Sequence, residues 1–225
     1  MRRLSGIIIC FLLVILHAEA QTSGGTGAQP LNAMQNYRRG RDSEAQNRAS
    51  EANTYYNEAI RICLEEVSRN VATRDTYTVM TWTLQRQRKY NDVVTWGDRG
   101  LRIYSDEYRI VETMGEAFFY MGNYERSLFY MQRYTNALPE GERAATAFFF
   151  IGEIYRLAQK YHHADIAYTT ALRIEPGISL WWYRLATVRE QIGDRRPAIE
   201  AYQQSLRLNP NYSEAREGLA RLQSN

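Results

Sequence analysis

The sequence predicts an all-α solenoid in which helical hairpins stack one on another. Apolar and aromatic residues recur at spacings of three and four, a pattern typical of one buried helix face. The pattern returns after 34 residues, about the length of one hairpin, so that Phe148 matches Trp182 and Tyr168 matches Tyr202. A proline closes each of three copies, at Pro139, Pro176 and Pro210.

The two copies nearest the C-terminus, residues 148–176 and 182–210, are the clearest. Each places a small residue among bulky ones, Gly152 in the first copy and Ala186 in the second. A small residue lets the partner helix approach closely, and the closing proline ends the second helix of the copy. One hairpin cannot bury its own apolar face, so neighbouring hairpins must stack.

Two earlier copies are less regular. The copy that ends at Pro139 keeps the pattern but is followed by a short insertion, residues 139–143. The copy before it starts near Tyr77 and has no closing proline. Gly97 and Gly100 stand in this copy where bulky packing residues are expected. This copy is therefore accepted mainly on its spacing.

Over residues 74–212 the pattern resembles the tetratricopeptide repeat, with about four copies. The resemblance is to proteins of the exported bacterial type. It implies a right-handed superhelix of helical hairpins, whose concave groove holds an extended peptide or a helix. The signature residues themselves are required for packing, so they are not evidence for a binding site.

The two ends of the chain carry different signals. Residues 1–20 combine a basic start, an apolar run and a small-residue cleavage pattern, which predicts a signal peptide and an exported protein, periplasmic or secreted. Residues 21–41 have the composition of a flexible linker. We expect residues 42–73 to form a helical extension or a degenerate repeat, with Cys63 on its buried face, and residues 213–225 to form a capping helix.

Composition argues against several function classes. Lys and Arg exceed Asp and Glu by only three in the whole chain, which is too small an excess to indicate nucleic acid or a membrane surface as partner. His162 and His163 are adjacent, whereas metal-binding pairs on helices need a spacing of three or four. We find no nucleophile motif or phosphate-binding loop, and therefore expect no catalysis, no metal and no cofactor.

A helical projection of the first helix of each copy separates groove-facing residues from packing residues. The resemblance assigns the groove-facing residues to partner binding. Many of them are aromatic, with Arg and Glu interleaved, which is the composition of an interaction hot spot. The predicted partner-binding residues are Trp82, Arg86, Glu112, Glu116, Phe119, Tyr120, Phe149, Phe150, Glu153, Arg156, Tyr183 and Arg184.

One subtype of the family is argued against by these positions. Tetratricopeptide proteins that clamp the carboxylate tail of heat-shock chaperones place Lys and Asn at defined groove positions. The corresponding positions here include Glu112, Glu116 and Glu153 and hold no Lys, Arg or Asn. An apolar or aromatic segment, with basic residues to meet these carboxylates, fits the groove better.

The sequence thus predicts an exported scaffold or adaptor that binds a protein or peptide partner in its concave groove. Two alternatives remain open. In the first alternative, the chain is a self-assembling structural subunit of an envelope complex, and so a homo-oligomer. In the second, it is a transporter-associated subunit that presents a small apolar ligand. No direct membrane insertion is expected once the signal peptide is removed.

Overall fold

Eleven α-helices and no strand make up residues 32–224, the part of the chain that the computed structural model describes. The predicted signal peptide and residues 21–31 of the predicted linker lie outside this part. The all-α prediction is confirmed. The helices are α1 Ala33–Ala45, α2 Ala49–Ser68, α3 Arg74–Arg86, α4 Tyr90–Ile103, α5 Tyr108–Tyr120, α6 Tyr124–Ala137, α7 Ala144–Leu157, α8 Tyr161–Ile174, α9 Ser179–Ile192, α10 Arg195–Leu208 and α11 Ser213–Ser224.

Consecutive helices pair into five hairpins, α1 with α2 through α9 with α10, and α11 packs on α10. Successive odd-numbered helices also contact one another, α1 with α3, α3 with α5 and α5 with α7, so the odd-numbered helices line the inner, concave face. Each hairpin turn contains one residue with a positive φ, which reverses the chain within a few residues. These residues are Asn47, Arg88, Gly122, Gln159 and Gly193.

The closing prolines end the second helices as expected. Pro139, Pro176 and Pro210 each lie two residues beyond a helix, after α6, α8 and α10. A proline disfavours helical geometry in the residue before it and cannot donate its own amide hydrogen bond. The predicted insertion, residues 139–143, forms the connection between α6 and α7.

Small residues allow close contacts between paired helices. A Cβ on Gly152 of α7 would stand 2.6 Å from the ring of Tyr168 on α8, and one on Gly115 of α5 would stand 3.0 Å from Met131 on α6. In the hairpin of α3 and α4 the small residue lies on the second helix instead. A Cβ on Gly97 of α4 would stand 2.6 Å from the sulfur of Met114, a residue of α5. The bulky residue missing from this copy is therefore supplied by the next hairpin.

The N-terminal region differs from its prediction. Residues 33–41, expected to be linker, belong to α1, and a separate helix, α2, follows from Ala49 instead of one helix over residues 42–69. The side chain of Asn32 accepts a hydrogen bond from the backbone N–H of Gln35, and the Gln35 side chain accepts one from the backbone N–H of Asn32. This capping box fixes the start of α1. Residues 33–68 thus form a complete first hairpin.

The structure shows which of the predicted packing residues in this hairpin and near the C-terminus are buried. Cys63 is fully buried in α2, as predicted, and its burial raises the thiol pKa to about 12. In α9 the buried tryptophan is Trp181 and not Trp182, whose indole N–H donates to the backbone carbonyl of Pro176. In α11 Ala215 faces the core, as expected for a capping helix.

Within residues 32–224, none of the helices has the combination of length and apolar character that crossing a membrane requires.

Candidate functional site

The concave face holds a cavity of about 350 Å³ between the first three odd-numbered helices and the connection that precedes α7. Its volume lies at the lower end of the range of small-ligand sites, so it suits a few side chains of a partner and not a whole helix. Most of its lining side chains are charged or aromatic. They are Tyr37, Arg41, Trp82, Gln85, Arg86, Arg109, Glu112, Thr113, Glu116, Tyr134, Glu142 and Arg143.

Two aromatic rings form one wall of this cavity. The ring centroids of Tyr37 on α1 and Trp82 on α3 lie 5.5 Å apart, and the guanidinium of Arg109 lies 5.8 Å from the Trp82 centroid. Burial raises the pKa of the Tyr37 hydroxyl, while the positive charges of Arg41 and Arg86 act in the opposite direction. The wall therefore combines an apolar surface with nearby cationic groups.

Two carboxylates share one guanidinium on the opposite wall. Arg143 Nη2 lies 3.0 Å from Glu112 Oε1 and 2.5 Å from Glu116 Oε1. Burial raises the pKa of Glu112 well above its ordinary value, the charge of Glu116 adds to this rise, and Arg143 opposes it. The Tyr134 hydroxyl accepts from the Arg143 backbone N–H at 3.1 Å, which holds Arg143 at the start of α7. The two carboxylates and one arginine leave this wall with a negative excess when all three are ionised.

Polar bridges join successive odd-numbered helices along the concave face. Arg86 donates two hydrogen bonds to Glu44 Oε2, at 2.6 and 2.9 Å, which connects α3 to α1. Gln85 Nε2 donates to Glu116 Oε2 at 3.0 Å, which connects α3 to α5. Burial alone would raise the pKa of Glu44. Its hydrogen bonds with Tyr56 and Arg86 lower the pKa by more than burial raises it, so the net shift is downward.

An aromatic cluster lies at the edge of the groove between α5 and α7. The Phe119 and Phe150 ring centroids are 4.9 Å apart, and Tyr120 stacks on Tyr90 at 5.3 Å. Tyr120 is 54% exposed, whereas Phe150 is buried. Phe150 was predicted to face the groove, but it packs in the core between the two helices because Phe119 and Tyr120 cover it.

In the C-terminal half of the groove, the predicted residues are largely occupied by packing. Phe149 is half-buried and stacks on Trp181, with ring centroids 4.9 Å apart and planes inclined by 12°. Glu153 is buried, accepts a hydrogen bond from the Tyr168 hydroxyl, and pairs with Arg156 and Arg184. These contacts hold α7, α8 and α9 together.

A second cavity, of about 340 Å³, lies beside this network and is lined by Arg156, Thr187, Glu190 and Arg221 among others. Arg221 of the capping helix donates to both oxygens of Glu190, at 2.7 and 2.9 Å. Tyr183 is half-buried beside this region, with its ring centroid 4.9 Å from that of Tyr212.

The structure thus separates the predicted site residues into two groups. Trp82, Arg86, Glu112 and Glu116 line the larger cavity together, and Phe119 and Tyr120 lie at the groove edge. The members of the C-terminal half do not line this cavity, and Phe149, Phe150 and Glu153 are engaged in packing contacts. We expected basic residues of a partner to meet the groove carboxylates. Among the described residues, these carboxylates are already paired with arginines of the chain itself: Glu112 and Glu116 with Arg143, and Glu153 with Arg156 and Arg184.

Several lining residues were missed by sequence reasoning. Tyr37 and Arg41 lie in the part of α1 that falls within residues 21–41, for which the composition predicts a flexible linker. The capping box at Asn32 and Gln35 was the signal that indicated a helix there. The missed residues that come from α5 and from the insertion are Arg109, Glu142 and Arg143.

Comparisons with known proteins agree with this architecture. The sequence model of the tetratricopeptide repeat matches residues 145–178 and 182–212. No curated protein matches the sequence.

Solved structures share the fold at low identity. A MamA RS-1 double mutant is 16% identical, with 80% of this chain and 96% of that chain covered and a TM-score of 0.64. MamA from Desulfovibrio magneticus RS-1 is 17% identical, with 80% and 97% covered and a TM-score of 0.59. A chain of the APC/C hetero-tetramer Cut9–Hcn1 is 14% identical, with 84% and 36% covered and a TM-score of 0.68. At such identities the likeness concerns the fold alone.

Proposed function

Because the chain is a tetratricopeptide-repeat protein, we propose that it acts as an exported scaffold that holds a segment of a protein partner on its concave face and performs no catalysis. The observation that carries this proposal is the cavity of about 350 Å³ on that face, with its aromatic wall of Tyr37 and Trp82. A concave, partly aromatic surface with a few charged groups is the usual form of a binding site.

The exposed ring of Tyr120 supports the same proposal. It lies beside Phe119 at the groove edge and is 54% exposed. Partial burial raises the pKa of its hydroxyl, and the charge of Glu116 adds to this rise. Tyrosine gives a large contact area at small conformational cost. Tyr120 lines an adjoining cavity that shares Gln85, Arg86 and Glu116 with the larger one, so a partner seated in the larger cavity lies next to Tyr120.

Export is the second part of the proposal. It rests on residues 1–20, whose basic start, apolar run and small-residue cleavage pattern are those of a signal peptide. Cys63 is compatible with an oxidising compartment because its buried thiol is shielded from exchange.

Self-assembly is a second candidate, and one observation favours it. Phe129 on α6 and Ile166 on α8 are 61% and 67% exposed, on helices of the outer layer. Large exposed apolar side chains on the outer helices can take part in a contact surface between protein copies when they belong to a contiguous patch. A small apolar ligand is less well supported, because the lining of both cavities is mainly polar or charged.

Photocrosslinking tests the scaffold proposal. A photoreactive phenylalanine analogue replaces Tyr120 in one variant and Phe129 in another, each in the full chain expressed in its own organism. Capture of another protein from position 120, but not from position 129, is the expected result. Capture of the chain itself from both positions, together with an oligomer in light scattering, contradicts the scaffold function and favours self-assembly.

A further inference from the structure

The charges that line the larger cavity are not all neutralised by the chain. Three of its four arginines are paired: Arg86 with Glu44, Arg109 with Glu107 and Asp75, and Arg143 with Glu112 and Glu116. Arg41 is the fourth. It is exposed on α1, it interacts with the Tyr37 hydroxyl, and the only carboxylate of the described part whose pKa its charge is shown to lower is that of Glu44, which already pairs with Arg86.

An unpaired acidic group stands at the other end of the same cavity. Glu142 lies in the connection between α6 and α7, is exposed, and forms no ion pair with any residue of the described part. It lines the cavity together with Tyr134, whose pKa is raised mainly by burial and further by the charges of Glu112 and Glu142. α1 packs on α3, and α3 on α5, so two helices separate the element of Arg41 from that of Glu142.

The ion pairs near Arg41 and Glu142 add to the difference in charge between the two ends of the cavity. At the Glu142 end, Arg143 pairs with Glu116 and Glu112, and Glu142 adds a carboxylate that forms no ion pair within the described part. At the Arg41 end, the guanidinium of Arg86 also faces the cavity, and both arginines act on the Tyr37 hydroxyl. The cavity is therefore positive near α1 and negative near α7.

We propose that this cavity binds a partner segment that carries one acidic and one basic side chain a few residues apart, with the acidic side chain at Arg41 and the basic one at Glu142. The inference rests on the proposed scaffold function and specifies the chemistry of its partner. The Tyr37–Trp82 wall packs against the aliphatic part of the segment. Complementary charges of this kind fix the register and orientation of a bound peptide.

Binding of synthetic peptides to the full chain tests the inference. The probes are acetylated, amidated peptides that carry one Asp and one Lys with one to three glycines between them, together with versions in which Asn replaces Asp or Gln replaces Lys. Their dissociation constants are measured by NMR titration. We expect the Asn and Gln versions to bind roughly three- to tenfold more weakly than the best Asp–Lys peptide, as for a partly desolvated ion pair.

Protein variants locate the two contacts. Arg41→Gln is expected to weaken binding of the Asp–Lys peptide but not of the Asn version, and Glu142→Gln to weaken binding of the Asp–Lys peptide but not of the Gln version. Arg39→Gln on α1 and Glu140→Gln in the same connection are matched controls, because both residues are exposed and neither lines the cavity. Equal effects of Arg41→Gln and Arg39→Gln overturn the inference, as does an absence of peptide binding at millimolar concentration.

The outcome is distinguishable from a failure of the scaffold function. If the cavity variants leave peptide binding unchanged while position 120 still captures a protein, the charge pattern is wrong and the scaffold function stands. If peptides bind through Arg41 and Glu142 but position 120 captures only the chain itself, the cavity chemistry holds and the scaffold function is contradicted.

Discussion

The ring of Tyr168 lies against the backbone of Gly152, so that a Cβ at position 152 would stand 2.6 Å from the ring carbons Cδ1 and Cε1. Tyr168 is fully buried, and its ring cannot move aside without displacing α8. We expect Gly152→Ala to lower the free energy of unfolding by about 1–3 kcal/mol, since the overpacking outweighs the roughly 1 kcal/mol that alanine gains over glycine in a helix. Urea denaturation measures the change.

Gly177→Ala is the control for this substitution. No atom lies within 4 Å of the Cβ that it introduces, and the residue lies in the connection after α8. We expect a change within about 0.5 kcal/mol, as for an ordinary surface substitution. Equal losses for the two variants contradict the close contact at Gly152.

Tyr168→Phe tests the buried hydrogen bond to Glu153. The substitution keeps the ring but removes the hydroxyl that donates to a buried carboxylate, so we expect a loss of about 1–3 kcal/mol in unfolding free energy. Tyr202→Phe is the comparison, because its partner Glu190 is partly exposed and water can replace the lost donor. A larger loss for Tyr202→Phe than for Tyr168→Phe is the contrary result.

Glu112→Gln tests the buried carboxyl of the cavity wall through pH. The pKa of Glu112 is raised above its ordinary value of 4.5, so the folded chain binds this proton more tightly than the unfolded chain. Its contribution to stability is present below pH 4.5 and is lost as the pH rises through the raised pKa. We expect the stability of wild type, relative to Glu112→Gln, to fall from acidic to neutral pH in denaturation curves. A difference independent of pH excludes a raised pKa.

Phe149→Ala separates packing from partner binding. A groove-exposed Phe149 implies that its removal weakens partner binding and leaves stability unchanged. Its stacking on Trp181 at 4.9 Å predicts instead a loss of about 1–3 kcal/mol in unfolding free energy, less than for a fully buried ring. Tyr120→Ala, at a ring that is 54% exposed, is expected to cost less than about 1 kcal/mol. Thermal denaturation of both variants distinguishes the two roles.

Much of the fold could be predicted because the packing residues recur in the sequence at a fixed period. From α5 to α10, bulky residues at helical spacing, a small residue opposite them and a closing proline agree with one another, as at Gly152, Tyr168 and Pro176. The first helix could not be found from an apolar stripe, because α1 buries Asn36, Gly40 and Ser43 alongside Ala33 and Tyr37. For such a helix, the capping box at Asn32 and Gln35 indicates the helix, whereas the spacing of apolar residues does not.

The candidate site was predicted less completely, for a geometric reason. A helical projection predicts which side of a single helix faces the groove. It does not identify side chains that enter the groove from a connection or from a neighbouring repeat. Arg143 illustrates this limit: it precedes α7 and binds Glu112 and Glu116 of α5. Phe150 shows the opposite error, since adjacent helices cover a face that projection leaves open.

Gly97 of the second hairpin is small where Met114 of the third hairpin is bulky, and the two residues pack against each other. This contact limits how hairpins can be removed from the chain or duplicated within it. Met114 of the third hairpin occupies space that belongs, in the other hairpins, to a residue of the same hairpin. Excising or duplicating the second hairpin alone would leave either a void beside Met114 or a bulky residue with no recess to receive it. α4 also packs closely on its own hairpin, since a Cβ on Gly100 would stand 2.9 Å from Tyr77 of α3. A rearrangement of this part of the chain therefore has to keep α3, α4 and α5 together.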